Sequence, residues 1–270
     1  MNIKELTTIK ELEQMQQLES QVWGIETIPT HQTLTAVKNG GIVVGAYDDD
    51  KLVGFSYGFA GFKNGESYLC SHMLGIDEAY RSQRIGERLK QAQRQIAVNK
   101  GYEKLIWTYD PLETRNGYLN LTKLNGVCDT YIENCYGDMQ DGFNKGLPSD
   151  RFEVHWHVTS DYVEQKQRPK TENPYPLAEI LWDHEQLPNL KVAALENLFE
   201  PSYSLPVPKD FQALKQASPE HAIHWRMATR EVFKAVFAQG YIAVRIEVKE
   251  HWNEYLFVKK ESLALGGKQK

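Results

Sequence analysis

Apolar residues recur at spacings of three and four at Leu12, Met15, Leu18 and Val22, which predicts an amphipathic helix from a Thr8 cap to about Trp23. Residues 1–7 before it read as the start of a strand. Between Ile25 and Gly41 the pattern is that of a loop with a short helix, Pro29 marking its start and Asn39-Gly40-Gly41 its stop. The period then changes. GIVVGAY (41–47) and KLVGFSYGFAGF (51–62) are dense in β-branched and aromatic residues and joined by Asp48-Asp49-Asp50, a hairpin signature. SYLCSHMLGI (67–76) is a third strand, paired to the second across Lys63-Asn64-Gly65.

Helical spacing returns from Ile85 to Asn99 and stops at Lys100-Gly101. KLIWTYD (104–110) is short and largely apolar, as expected of a strand covered on both faces. A second helix is predicted over Arg115–Leu124, then strands VCDTYIENCY (127–136) and RFEVHWHV (151–158), separated by a Gly-rich loop (137–150). The order β-α-α-β-β-β-α-β-α-β-β predicts an α/β fold, an α+β mixed sheet with helices on both sides. Residues 160–176 are polar and contain proline, so they read as a linker. Beyond it lie two predicted strands (178–183 and 191–197), a helix capped by Ser218 and ended by Gly240, and strands over 241–248 and 254–260.

Composition narrows the function classes. The 270 residues carry a net charge of −5 with a pI near 5.9, which argues against a nucleic-acid partner. Cys70, Cys128 and Cys135 form no CxxC pattern and fit a reducing compartment. No apolar run approaches the roughly 18 residues of a spanning helix, and the charged N-terminus is no signal peptide. The chain reads as cytoplasmic, with no membrane partner.

The chemistry concentrates at the turn Asp77-Glu-Ala-Tyr-Arg81-Ser82-Gln83-Arg84-Ile85-Gly86, between a strand and a helix. A helix start offers about four unpaired N–H groups and a positive dipole end, which suits a pyrophosphate. Arg81 and Arg84 add charge-assisted hydrogen bonds, and Gly86 lets the backbone approach closely.

With Leu74-Gly75-Ile76 ending the strand ahead of it, this loop resembles the acyl-CoA loop Gln/Arg-x-x-Gly-x-Gly/Ala of the GNAT (GCN5-related N-acetyltransferase) superfamily. Arg84 stands where the family usually has its first glycine. Asn116 and LTKLNGV (121–127) resemble the family's next helix, with Thr122 at its usual tyrosine. SHML (71–74), WTYDPLETRN (107–116) and LPSDRF (147–152) are similar to a bacterial subfamily of predicted acyltransferases.

The resemblance implies a GNAT-like acyltransferase domain over 1–165 and a smaller C-terminal α/β extension over 166–270. It also implies acetyl-CoA or another acyl-CoA as cosubstrate, no metal, a small-molecule amine as acceptor, and leaves a homodimer open. Leu74, Ile76, Arg81, Ser82, Gln83, Arg84, Ile85, Gly86 and Asn116 would hold the cofactor. The Leu74 N–H would serve the oxyanion.

Base candidates are His72, Glu66, Asp110 and Glu113, the last also placed for substrate binding, and Tyr118 is the nearest replacement for the missing tyrosine acid. His155 and His157 alternate on one strand face without an evident third metal ligand. Asp138, Asp141 and Asp150 can line an amine pocket. Arg226, Arg230 and Lys234 form an i, i+4 stripe that is either a solvated helix face or a lining for a carboxylate-bearing substrate. The latter would suit N-succinylation of an amino acid, and a catalytically degenerate CoA-binding regulator is a third reading.

Overall fold

The structure is a computed structural model that describes residues 1–24, 26–137, 146–184 and 187–266. Its backbone contacts divide into two compact units, one of Met1–Trp107 with His157–Ser160, the other of Thr108–Trp156 with Asp161–Gly266.

The first unit opens with β1 (Asn2–Glu5) and α1 (Ile9–Trp23). Thr8 and Glu11 form a reciprocal capping box at the start of α1, and Gly24 closes it in the left-handed region. After α2 (Thr30–Lys38) come β2 (Ile42–Asp48), β3 (Lys51–Lys63) and β4 (Glu66–Ile76), then α3 (Ile85–Asn99) and β5 (Lys104–Tyr109). The strands lie in the order β1-β2-β3-β4-β5, antiparallel until β5, which runs parallel to β4.

Alternation assigns the two faces of this sheet. Phe55 and Tyr57 join Leu12, Met15 and Leu18 of α1 in one buried cluster, with Leu34 and Val37 of α2 against it. Gly54, one residue away, faces Ile85 and Leu89 of α3, where a Cβ would lie 3.1 Å from Ile85. Burying each large apolar side chain in such a cluster contributes about 1.5–3 kcal/mol.

In the second unit, α4 (Thr114–Gly117) passes into a π-helical turn over Tyr118–Lys123, so the single helix expected over 115–124 is two pieces. The cause is local. Gly117 sits where a Cβ would be 2.4 Å from Ile246, and Thr122 is tied to the Ile246 backbone. There follow β6 (Val127–Ile132), shorter than expected, β7 (Arg151–His157), α5 (Asp161–Glu164), β8 (Tyr175–Pro176), β9 (Ala178–Trp182), β10 (Pro188–Val192) and β11 (Ser202–Pro208). Then come α6 (Phe211–Ala217), α7 (Pro219–Ala238), β12 (Tyr241–Val248) and β13 (Trp252–Lys259).

The strands of this unit run β7-β6-β12-β13-β11-β8, with β9 and β10 a separate hairpin. Phe233 of α7 packs on Phe152 at 4.6 Å and on Tyr255 at 5.4 Å, the centre of an aromatic core. Two expectations are corrected. Residues 160–176 are no free linker, because Tyr162 and Val163 are buried and the Asn125 amide donates to the carbonyls of Tyr162 and Gln167. The strand expected at 191–197 lies at Pro188–Val192, held to α7 by the Trp225 indole donating to the Pro188 carbonyl at 2.7 Å.

Candidate active site

The loop leaving β4 is built around Asp77, whose carboxylate accepts from the Ala79 N–H at 3.0 Å and pairs with Lys51 at 2.8 Å. Its carboxyl lies below the usual range because of the Lys51 hydrogen bond. After a 3-10 turn at Glu78–Tyr80 the chain passes through two left-handed residues, Ser82 (φ 69°) and Arg84 (φ 58°), on either side of Gln83. Such alternation turns successive N–H groups toward one concavity, a nest for an anion. The first helical bond of α3 runs from the Arg88 N–H to the Arg84 carbonyl, and no side chain caps the N–H groups of Ile85, Gly86 and Glu87. Arg81 and Arg84 flank this concavity at the surface. Beside it a groove of about 630 Å³ is lined by Ile3, Gln83, Arg84, Glu87, Arg88 and Gln91. Arg84 thus holds the backbone conformation that favours glycine, at a steric cost of about 1–2 kcal/mol.

Upstream, one edge of β4 is only partly paired among the described residues. Its parallel register with β5 covers only Leu69↔Leu105 and Cys70↔Ile106. On the other side, the Asp77 N–H donates to the Val53 carbonyl. Antiparallel alternation from that bond turns the N–H and C=O of Gly75 and Met73 toward β3, and those of Leu74 and Ile76 away from it. Leu74 and Ile76 therefore present free backbone groups along the open edge.

A bulge makes the two faces of β4 chemically different. Tyr57 pairs with Met73 and Phe59 with Cys70, so Ser71 and His72 together oppose Gly58. Glycine is required at 58, since a Cβ would lie 2.9 Å from the Cys70 carbonyl oxygen. His72 packs edge-on against Tyr57 and Phe59 at 6.3 and 5.7 Å, on the α1–α2 side. Its ring keeps part of its surface in solvent, yet burial by these neighbours holds its pKa below the ordinary imidazole value. It is a neutral base at neutral pH.

Ser71 points to α3 instead. Its hydroxyl donates to the Gln93 amide oxygen and accepts from the Lys90 amine at 2.7 Å. Lys90 lies 3.7 Å above the Trp107 ring, is 2% exposed, and is pushed by burial down to about 7. No role for Lys90, Ser71 or Gln93 follows from the sequence motifs. A signal for them existed, since Gly86, Leu89, Lys90, Gln93 and Ala97 are spaced as one buried helical stripe.

The remaining expected residues belong to the second unit. Asp110 accepts from the Leu112 N–H at 2.9 Å and pairs with Arg226, which is 1% exposed. Burial opposes the charge on Arg226, but the Asp110 carboxylate outweighs it and raises its pKa. Arg230 grips Asp150 through Nε and Nη2, both at 2.8 Å, and Glu133 through Nη1; Lys234 also reaches Glu133. The stripe is an ion-pair ladder. Arg230 is fully engaged in the ladder, whereas Arg226 meets Asp110 through Nη2 alone and its buried Nε and Nη1 have no hydrogen-bond partner among the described residues.

Glu113 accepts from the Gln212 amide, and burial raises its pKa. Asn116 is exposed on α4, and Tyr118 lies on the π turn with Lys123 5.4 Å from its ring. Thr122 both donates to the Ile246 carbonyl and accepts from its N–H, so its hydroxyl is fully used in structure. His155 meets Glu153 at 3.0 Å. Asp138 and Asp141 lie outside the described residues.

Residues 8–118 match the family model described as acetyltransferase (GNAT) family. This stretch of the chain belongs to the GNAT family. Among solved structures, the chain is 18% identical to smu.2055 from Streptococcus mutans UA159, covering 58% of this chain and 99% of that one at a TM-score of 0.47. It is 19% identical to an aminoglycoside 6'-acetyltransferase type Ii (63% and 100% covered, TM-score 0.46). It is 15% identical to the ribosomal-protein-S18-alanine N-acetyltransferase from Escherichia coli (64% and 98%, TM-score 0.45). No curated protein matches the chain. The GNAT match contains the loop, the open β4 edge and His72, and ends at Tyr118, ahead of the arginine ladder. Among the described residues no helix is long and apolar enough to cross a membrane.

Proposed function

We propose that this protein transfers an acetyl or other short acyl group from acyl-CoA to the amine of a small molecule. The observation that supports the reading is the succession of the open β4 edge at Leu74 and Ile76, the left-handed turn at Ser82 and Arg84, and the start of α3, where the N-cap side chain makes no capping bond. When bound, acyl-CoA supplies an activated thioester carbonyl. The nest and the Ile85, Gly86 and Glu87 N–H groups bind the pyrophosphate, with Arg81 and Arg84 neutralising its charge. Leu74 and Ile76 align the pantetheine amides as an added strand would be aligned, and the Leu74 N–H is the donor for the oxyanion. Asn116, exposed at α4, and the acid role of Tyr118 are further parts of this proposal. Residues 1–165 form the acyl-CoA domain and 166–270 its extension.

His72 takes the proton from the acceptor ammonium. Because its folded pKa lies below the ordinary 6.5, the neutral form needed for catalysis persists through neutral pH and is lost only on acidification. Thiol release from acetyl-CoA with a panel of small amines tests the reading. The expected result is amine-dependent release whose kcat/KM is lost on acidification at a pH below the ordinary imidazole value, and a loss of about 100-fold or more in His72→Gln. Release from folded protein by none of the amines would overturn it.

A further inference from the structure

A second set of unused donors lies in the second unit, apart from anything the acyl-transfer reading needs there except the phenol of Tyr118. A cavity of about 440 Å³ is lined by Tyr118 and Thr122 of the π turn, by Arg168, and by the end of β12 from Arg245 to Val248. It is a depression open to solvent rather than an enclosed pocket. Its floor is fixed. Thr122 clamps the π turn to both backbone groups of Ile246, and Gly117 packs flush against Ile246 and Tyr255. π turns are rare and are kept mostly where function needs them.

Three donors around this cavity lack partners among the described residues. Arg168 is exposed and makes no ion pair or hydrogen bond. The Tyr118 hydroxyl makes no hydrogen bond. Arg245 is held through Nη2 by the Thr171 hydroxyl at 2.5 Å and Glu247 at 2.9 Å, which leaves Nη1 unpaired and Nε buried without a partner. Glu247 is kept ionised, its pKa lowered first by the Lys249 hydrogen bond at 2.7 Å. Arg168 and Arg245 against Glu247 leave the lining cationic, with Lys249 on Glu247 and Lys123 beside the Tyr118 ring. Beside them Val248, 59% exposed, supplies the apolar part of the lining, while the Ile246 side chain is buried beneath it.

We propose that this cavity binds a small monocarboxylate, its carboxyl group held by Arg168, Arg245 and the Tyr118 hydroxyl and its short apolar body lying along Val248. A cationic lining selects an anion, and a carboxylate fits both the planar fork of a guanidinium and the exposed apolar side chain of Val248 beside it.

The experiment is a titration of the full-length protein with butyrate, inorganic phosphate and butanol, read by ligand-detected NMR and calorimetry. Saturable binding of butyrate, weakened about tenfold or more by Arg168→Gln and a few-fold by Tyr118→Phe, with no binding of butanol, is the expected outcome. Arg168 is exposed, so an unchanged melting temperature verifies that its variant is folded. Absence of saturable butyrate binding, or affinity unchanged in Arg168→Gln, overturns the site. Phosphate binding as tightly as butyrate through Arg168 overturns the assignment to a carboxylate. None of these readouts uses acyl-CoA, so this proposal and the acyl-transfer reading fail separately.

Discussion

Lys90→Met is expected to stabilise the protein by about 3 kcal/mol at pH 6, with the gain shrinking steadily as the pH rises toward 10. Holding a lysine at a folded pKa of about 7 against an ordinary 10.5 corresponds to a penalty of about 5 kcal/mol on the charged form. The Trp107 face, 3.7 Å away, favours the charged form by no more than about 2 kcal/mol, too little to cancel the desolvation. The Ser71 hydroxyl is an acceptor with no charge to offer, and the causes of the shift include no carboxylate. Desolvation wins.

The sign follows from proton counting. Below pH 7 both folded and unfolded states carry the charge, so the penalty is fully present. Between pH 7 and 10.5 the unfolded chain binds the extra proton, and wild-type stability rises by up to about 1.4 kcal/mol per pH unit from this group. Urea denaturation of both proteins at pH 6 and pH 9 measures the difference. A variant less stable than wild type at pH 6, or a gap of equal size at both pH values, would contradict this reading of Lys90.

The second large effect is a loss. Asp150→Ala should cost about 3–5 kcal/mol, because it strands a half of a buried pair rather than removing the pair. Asp150 is fully buried and accepts two bonds from Arg230, one from the Tyr131 hydroxyl at 2.6 Å and one from the Asn134 N–H at 2.9 Å. Burial works against its ionisation, yet these partners, Arg230 first, hold its pKa below the ordinary 3.8. Its contribution is therefore present above about pH 4 and lost as the pH falls through the folded value. Adding Arg230→Met to Asp150→Ala should recover part of the loss by removing the orphaned charge. A cost under about 1 kcal/mol for Asp150→Ala, in urea at pH 7, would show the ladder to be an exposed ornament rather than a buried tie.

The first unit was legible because its signals are local. The Thr8 box, the hairpin at Asp48-Asp49-Asp50 and the 3.6-residue period of α3 each act within a few residues, and the structure follows them closely. The second unit depends on pairings the chain does not announce. In β11, SYSLPVP, Pro206 and Pro208 argue against a strand by removing two donors. The segment nonetheless pairs with β13 along its length, and on its β8 side the register stops at Ser204, before the prolines begin. The break of the helix after Gly117 depends on Ile246, well over a hundred residues away in sequence.

At the site, spacing located the loop from Arg81 to Gly86, but only the backbone reveals that Ser82 and Arg84 form a nest. From sequence the arginine stripe of α7 is either a solvated face or a lining for a substrate carboxylate. Arg226 lies instead within the apolar spacing Ala222, Thr229, Phe233 and Val236, and buried cations at such positions imply a carboxylate that only the fold can supply.

Calorimetric titration with acetyl-CoA tests the central claim most directly. The account predicts saturable binding in the micromolar range that weakens about tenfold in each of Arg81→Ala and Arg84→Ala, both exposed positions where the fold should persist. Folded protein that binds no acetyl-CoA, or binds it equally well without these arginines, would contradict the assignment of the nest and the β4 edge to the cofactor.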